Sequence, residues 1–173
     1  IFKIFKKNKN KDKLLKFCYK AISLMYFALL IYLVLLIKLQ KPDFEIFIIF
    51  SILISVMSDV GGLVVGKTFK GKKLTKISPN KTVSGSIGSF IFSLSLIPIF
   101  LEYLTNYDLL TLSIITLIIS LTSQLGDLLI SFLKRKAKVK NTSDLLPGHG
   151  GILDRIDGII FALPIGFLIL VSF

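Results

Sequence analysis

The chain has 173 residues, 53% of them apolar, and carries 22 Lys and Arg against 10 Asp and Glu, a formal net charge of +12 at pH 7. Mostly apolar runs of about 18 or more residues recur, which excludes an ordinary soluble domain and puts the membrane class first. In a soluble protein this charge would suggest nucleic acid, because clustered Lys and Arg neutralise phosphates and release counterions; beside apolar spans it marks cytoplasmic loops and attraction to anionic headgroups, so no nucleic-acid partner is expected.

Residues 1–20 hold eight lysines and little that could form a core, and read as a basic cytoplasmic tail. The chain opens on Ile1 rather than methionine, and basic residues followed by an apolar run have a signal peptide's charge order. No small-residue cleavage site follows, so 21–37 is expected to be a retained span. Cys18, the single cysteine, precludes an intramolecular disulfide. A turn around Pro42 leads to a second apolar run, 44–65, interrupted by Ser58-Asp59 and the pair Gly61-Gly62. An aspartate inside a span is costly in hydrocarbon and must face a bundle interior, a cation or water; the glycines permit close helix approach.

The loop 66–81 carries six lysines and ends in Ser78-Pro79-Asn80-Lys81, with Thr82, Gly85 and Gly88 opening the next span. Hydroxyls, a lysine and free backbone N–H groups at a helix start are what a phosphate needs. The third span is expected over about 88–101, stretching to Val83 if the small residues join it. An acidic loop, 102–108, precedes a fourth span, 109–133, with Gln124 and Asp127 in its last third. The stretch 126–157 then packs four carboxylates, seven basic residues counting His149, and a Gly-His-Gly-Gly turn between two apolar segments. The fifth span begins near Ile152 with Asp154, Arg155 and Asp157 in its first two turns.

Basic residues are rich in the tail, sparse around 38–41, rich in 66–81, absent from 102–108 and rich again in 134–155. This alternation is what the positive-inside rule requires of five spans with a cytoplasmic amino end. The expected architecture is therefore an all-α integral membrane protein of about five transmembrane helices, with 21–173 as one membrane domain. Asp59, Asp127, Asp154 and Asp157 then converge on one depth at the cytoplasmic face. Four acids in one low-dielectric layer need neutralising, by the neighbouring basic residues or by hard divalent cations. Acids for a metal beside Lys134, Arg135, Lys136, Lys138 and Lys140 for phosphates suit phosphoryl or nucleotidyl transfer. A structural ion-pair network, or a transporter or non-catalytic scaffold with a polar packing layer, is the alternative; a transporter would favour midplane acids and internal repeats, and no repeat is seen.

Ser131, Lys134-Arg135, Lys140, Ser143, Leu146-Pro147-Gly148-His149-Gly150-Gly151 and Asp154-Arg155-Ile156-Asp157 together resemble the signature of the phosphatidate cytidylyltransferases, also called CDP-diacylglycerol synthases. Gly126-Asp127-Leu128 and the segment from Asp59 through Ser78-Pro79-Asn80-Lys81-Thr82 look like that family's other motifs, and the resemblance covers about 56–173. It implies that CTP and phosphatidic acid give CDP-diacylglycerol and pyrophosphate at an inner-membrane site facing the cytoplasm. It also implies Mg2+, with a monovalent cation such as K+ as an option. On the matching positions, Asp127, Asp154, Lys134, Arg135 and His149 would be catalytic, and Asp127, Asp154, Asp157 and Asp59 would hold metal. Ser78, Lys81, Thr82, Lys140, Ser131, Gly150, Gly151 and Arg155 would bind substrate. His149 is expected to donate to phosphate or shape its turn rather than transfer a proton. The chain departs from the pattern at Asn141 and Ser84, where the family usually has acids. Family members tend to be longer at the amino end, so family helices preceding residue 1 are expected to be missing here, and a homodimer is left open.

Overall fold

The computed structural model describes residues 9–40, 44–75, 78, 80–136 and 153–172. The chain divides into two compact units, one ending at Gln40 and the other beginning at Lys41. The first contains one continuous helix, α1 (Lys9–Gln40), which starts inside the basic stretch rather than after it. Its 32 residues rise about 48 Å at 1.5 Å each.

The second unit is built from α2 (Phe44–Phe69), α3 (Val83–Leu94), the one-turn α4 (Ile97–Phe100), α5 (Leu109–Lys136) and α6 (Leu153–Ser172). Three segments among the described residues are long and apolar enough to cross a membrane: Glu45–Phe69, Val83–Phe100 and Leu109–Lys136. The apolar stretches Leu24–Leu36 and Ile156–Ile169, in α1 and α6, are shorter. The chain is thus an all-helical integral membrane protein with three helical segments of spanning length among its described residues.

The third span is not one regular helix. Pro98 has no N–H to give the carbonyl of Leu94, and its ring would crowd that turn. The chain therefore closes α3 with a Ser95–Leu96 turn, in which Ser95 N–H bonds Ile91 O, and restarts as α4 with proline in its first turn. Asp108 accepts from the Thr111 N–H at 3.3 Å and caps α5.

Inside lipid the helices gain little by hiding apolar groups from one another, so small residues that let backbones approach decide the packing. At the α2–α3 crossing a Cβ on Gly61 would stand 2.5 Å from Gly88 O, and one on Gly85 would stand 2.7 Å from Gly62 O. Where α5 meets α6, Gly126 lies under the Phe161 ring and Gly158 against Ser123. Gly166 of α6 lies against Ser51 of α2. Phe50, Ile54, Leu112, Ile115, Ile119 and Phe167 fill the buried centre.

A polar seam runs through this centre. Ser51, Ser55 and Ser58 share one face of α2 and are fully buried, as are Ser120 and Ser123 of α5 and Ser93 of α3. Ser55 and Ser123 hydroxyls bond at 2.6 Å, Ser120 donates to Ser58 Oγ at 3.0 Å, and Ser89 donates to the Ser58 carbonyl at 2.6 Å. These bonds tie α2, α3 and α5 together at the depth where the site opens.

Candidate active site

A cavity of about 690 Å³ opens where α2, α3 and α5 meet, its wall including Asp59, Ser78, Lys81, Thr82, Gln124 and Asp127. Each helix presents its polar residues for a local reason. Gly62, Gly66 and Gly85 carry no side chain, so the α2 and α3 backbones lie close and leave the space beside Asp59 open. On α5, Gln124 and Asp127 are three residues apart and share a face.

The α2–α3 connection is more ordered than a charged loop. Lys73 and Thr82 form an antiparallel bridge, with Leu74 N–H donating to Lys81 O at 2.8 Å and Val83 N–H donating to Lys72 O at 2.9 Å. This strap delivers Lys81 into the cavity. Its ammonium pairs with Asp127 Oδ2 at 2.5 Å and donates to the Gln124 carbonyl at 3.4 Å. Both side chains of the pair are a quarter exposed, so the contact lies at the cavity wall and not in the dry core.

The start of α3 differs from expectation. Three of its first four backbone N–H groups, expected to be free for an anion, are in use: Val83 N–H reaches Lys72 O, Gly85 N–H the Thr82 hydroxyl at 3.1 Å, and Ser86 N–H the Thr82 carbonyl. An anion here would therefore meet side chains instead of a bare helix end. Ser84, where the family resemblance led an acid to be expected, accepts from Gly71 N–H at 3.2 Å and closes the strap.

Of the expected site residues, Asp59, Ser78, Lys81, Thr82 and Asp127 line the one cavity. Ser131 donates to Asp127 Oδ1 at 3.4 Å. Asp157, buried at the start of α6, accepts the Gly158 N–H at 3.0 Å and lies 3.8 Å from the Lys134 ammonium. Asp127 is within electrostatic reach of both Asp59 and Asp157, so three of the four acids gather in one region. Arg135 is exposed at the end of α5, outside the cavity wall. Asp154 and Arg155 lie in the first turn of α6, but their side chains, together with Lys140, Asn141, His149, Gly150 and Gly151, fall outside the described residues.

The cavity also contains residues that sequence reasoning left out of the site. Ser86 donates to Gln124 Oε1 at 2.5 Å, and Ser58 and Ser89 complete the floor. A glutamine three residues before Asp127 inside an apolar run and Ser58 beside Asp59 were the available signals; serines scattered elsewhere through the spans offered none.

The donor chemistry suits a hard cation. Asp59 has no hydrogen-bond or ion-pair partner among the described residues, and Asp127 holds only one ammonium and a long hydroxyl contact. Among the described residues no three acid, His or Cys side chains are close enough to share one ion. A divalent ion would thus take one or two carboxylates and complete its shell with water and phosphate oxygens, the manner in which Mg2+ is usually held.

This arrangement of carboxylates and a lysine at the end of apolar helices can be compared with known proteins. The model of the family described as "Cytidylyltransferase family" matches residues 1–173. The chain belongs to that family. Family relatives called phosphatidate cytidylyltransferase include one from Staphylococcus haemolyticus, 36% identical over 162 residues, covering 92% of this chain and 58% of the relative. One from Staphylococcus saprophyticus is 41% identical over 129 residues, covering 73% and 49%. One from Rickettsia prowazekii is 37% identical over 161 residues, covering 87% and 69%. The chain thus spans between about half and about two thirds of the length of these relatives.

Proposed function

We propose that this chain transfers the cytidylyl group of CTP to phosphatidic acid, leaving CDP-diacylglycerol in the membrane and releasing pyrophosphate. The observation that carries the reading is a cavity in which Asp59, Asp127 and Lys81 meet at the junction of three helices of apolar, membrane-length segments. One substrate is a water-soluble polyanion and the other has acyl chains that stay in lipid, so the chemistry must take place at such a junction. The name shared by the family relatives supports the same reaction.

In the reaction, a phosphate oxygen of phosphatidic acid forms a bond to the α-phosphorus of CTP. The bond from that phosphorus to its bridging oxygen breaks in line, and pyrophosphate leaves with the electron pair. A phosphate monoester is largely ionised at neutral pH, so the attack needs little base help. What it needs is positioning and charge stabilisation. Lys81 at the cavity wall, with Lys134, Arg135 and Lys140 from the basic cluster, would hold phosphate oxygens; the Ser78 and Thr82 hydroxyls, Ser131, Gly150, Gly151 and Arg155 would complete the substrate contacts. His149 would donate to a phosphate oxygen. Asp127 and Asp154, with Asp157 and Asp59 beside them, would hold Mg2+, which supplies positive charge against the phosphates when bound; a monovalent cation such as K+ would be the second ion. The alternation of basic loops supports five spans, with the cavity facing the cytoplasm at a bacterial-type inner membrane.

The test is transfer of label from CTP into lipid by the purified full chain in native lipid with Mg2+. Product is expected, with Asp127→Asn losing about 100-fold or more in rate. No product from the wild type sinks the enzyme reading, and full activity in Asp154→Asn sinks the metal assignment.

A further inference from the structure

We infer that Lys81 is an exchangeable counter-cation for Asp127: its ammonium holds the carboxylate when no metal is bound, and a metal ion arriving at Asp127 turns the same lysine loose onto phosphate. The inference rests on the proposed use of Asp127 as a metal ligand.

The geometry sets the competition. Lys81 Nζ sits 2.5 Å from Asp127 Oδ2, a distance at which no cation can be inserted between them. Among the described residues, the rest of the environment of Asp127 offers the Ser131 hydroxyl at 3.4 Å and the fields of two further acids, Asp59 and Asp157. An unneutralised Asp127 would therefore face two like charges, and among the described residues Lys81 brings the ammonium that reaches it. Its second anchor, the Gln124 carbonyl at 3.4 Å, is a neutral acceptor at the outer limit of a hydrogen bond, so losing it costs little.

Lys81 also has the means to move. It follows a strap fixed by backbone bonds on both sides, Leu74 N–H to Lys81 O and Lys81 N–H to Ser78 O at 3.1 Å, so its main chain stays in place while its four-carbon stem swings. Its side chain lines the cavity, and any phosphate drawn in is the natural second partner. Metal and phosphate would then favour one another through one residue: each phosphate contact by Lys81 bares Asp127, and each ion on Asp127 frees Lys81.

The experiment measures Mn2+ alone, with no nucleotide, binding to the full chain in detergent micelles by the loss of its free-ion resonance signal. Lys81→Met is expected to bind Mn2+ roughly two- to fivefold more tightly than wild type, the range expected for removing a partly exposed ion pair. Lys81→Arg, which keeps a charge in reach, is expected to stay within about twofold of wild type. Lys81→Gln guards against a folding defect particular to Met. Asp127→Asn should weaken binding and abolish the gain from Lys81→Met. Equal Mn2+ affinity in wild type, Lys81→Met and Lys81→Gln, with Asp127→Asn still weakening it, overturns the exchange alone. Affinity independent of Asp127 in every background overturns the metal assignment and the exchange with it.

Discussion

Gly88→Ala tests how the α2–α3 crossing sets the site. A Cβ at Gly88 would lie 2.4 Å from Val65 Cβ, 2.5 Å from Val65 Cγ2 and 2.7 Å from Gly61 O. Carbon atoms pack at about 3.5–4.0 Å, so the two helices must part by roughly 1 Å at this level. Overpacking of this kind costs about 1–3 kcal/mol. Gly85, one turn nearer the cavity, and Asp59 on the opposing helix move with the crossing, and a misplacement of about 1 Å can cost about 100-fold in turnover. Heat inactivation in detergent should fall by several degrees, and CTP-dependent lipid labelling should fall by one to two orders of magnitude. Val65→Gly removes both side-chain clashes, so Gly88→Ala should cost at least about 1 kcal/mol less in that background. An unchanged melting point and rate in Gly88→Ala, or the same loss in both backgrounds, refutes the close-crossing argument.

Lys70 ends α2 with φ of 42°, a conformation in which a side chain is strained, so Lys70→Gly should raise stability by up to about 1 kcal/mol in a thermal melt. Ser51 Oγ is buried without a hydrogen-bond partner among the described residues, and Ser51→Ala should be neutral or stabilising; Ser55→Ala strands the Ser123 hydroxyl and should cost about 1 kcal/mol, with unfolding in detergent deciding between them. Asp108 has its carboxyl held below the ordinary range, first by the Thr111 side chain and also by the Thr111 backbone N–H. A depressed folded pKa stabilises above the unfolded value and is lost as pH falls through the folded one. Asp108→Ala should therefore lower the melting point at pH 7, with the gap closing below about pH 4, while Asp108→Asn keeps much of the cap.

Much of the site was legible because its residues violate the surrounding pattern. Asp59 and Asp127 stand out as charges inside apolar runs, and Lys81 stands out beside a helix-starting hydroxyl; the cost of burying charge makes such residues conspicuous. Gln124 was visible but was not assigned a role, since a neutral amide in a span has many uses. Ser58 was visible as a polar break beside Asp59 but was given no role, and Ser86 and Ser89 could not be picked out, because a serine in an apolar run reads the same whether it bonds its own helix, as Ser113 does to Leu109 O, or a neighbouring one, as Ser89 does to Ser58 O. The expectation of an open helix end at α3 failed for a similar reason: the carbonyl that takes the Val83 N–H belongs to Lys72, eleven residues away and reached only because the strap folds back.

By itself the sequence determined the membrane class, the helical character of the apolar runs, the chemistry of the acids and lysines, and the family motifs. Those follow from composition and local spacing, since each residue's solvation cost and helix position depend on its near neighbours. Only the tertiary structure decided that Lys81 would rest on Asp127, that glycines on two helices would fit into one another, and that serines of three helices would join in one polar seam. These depend on which helix faces which and at what distance, and a chain that packs by small residues and a few cross-helix hydrogen bonds writes little of that into its local pattern.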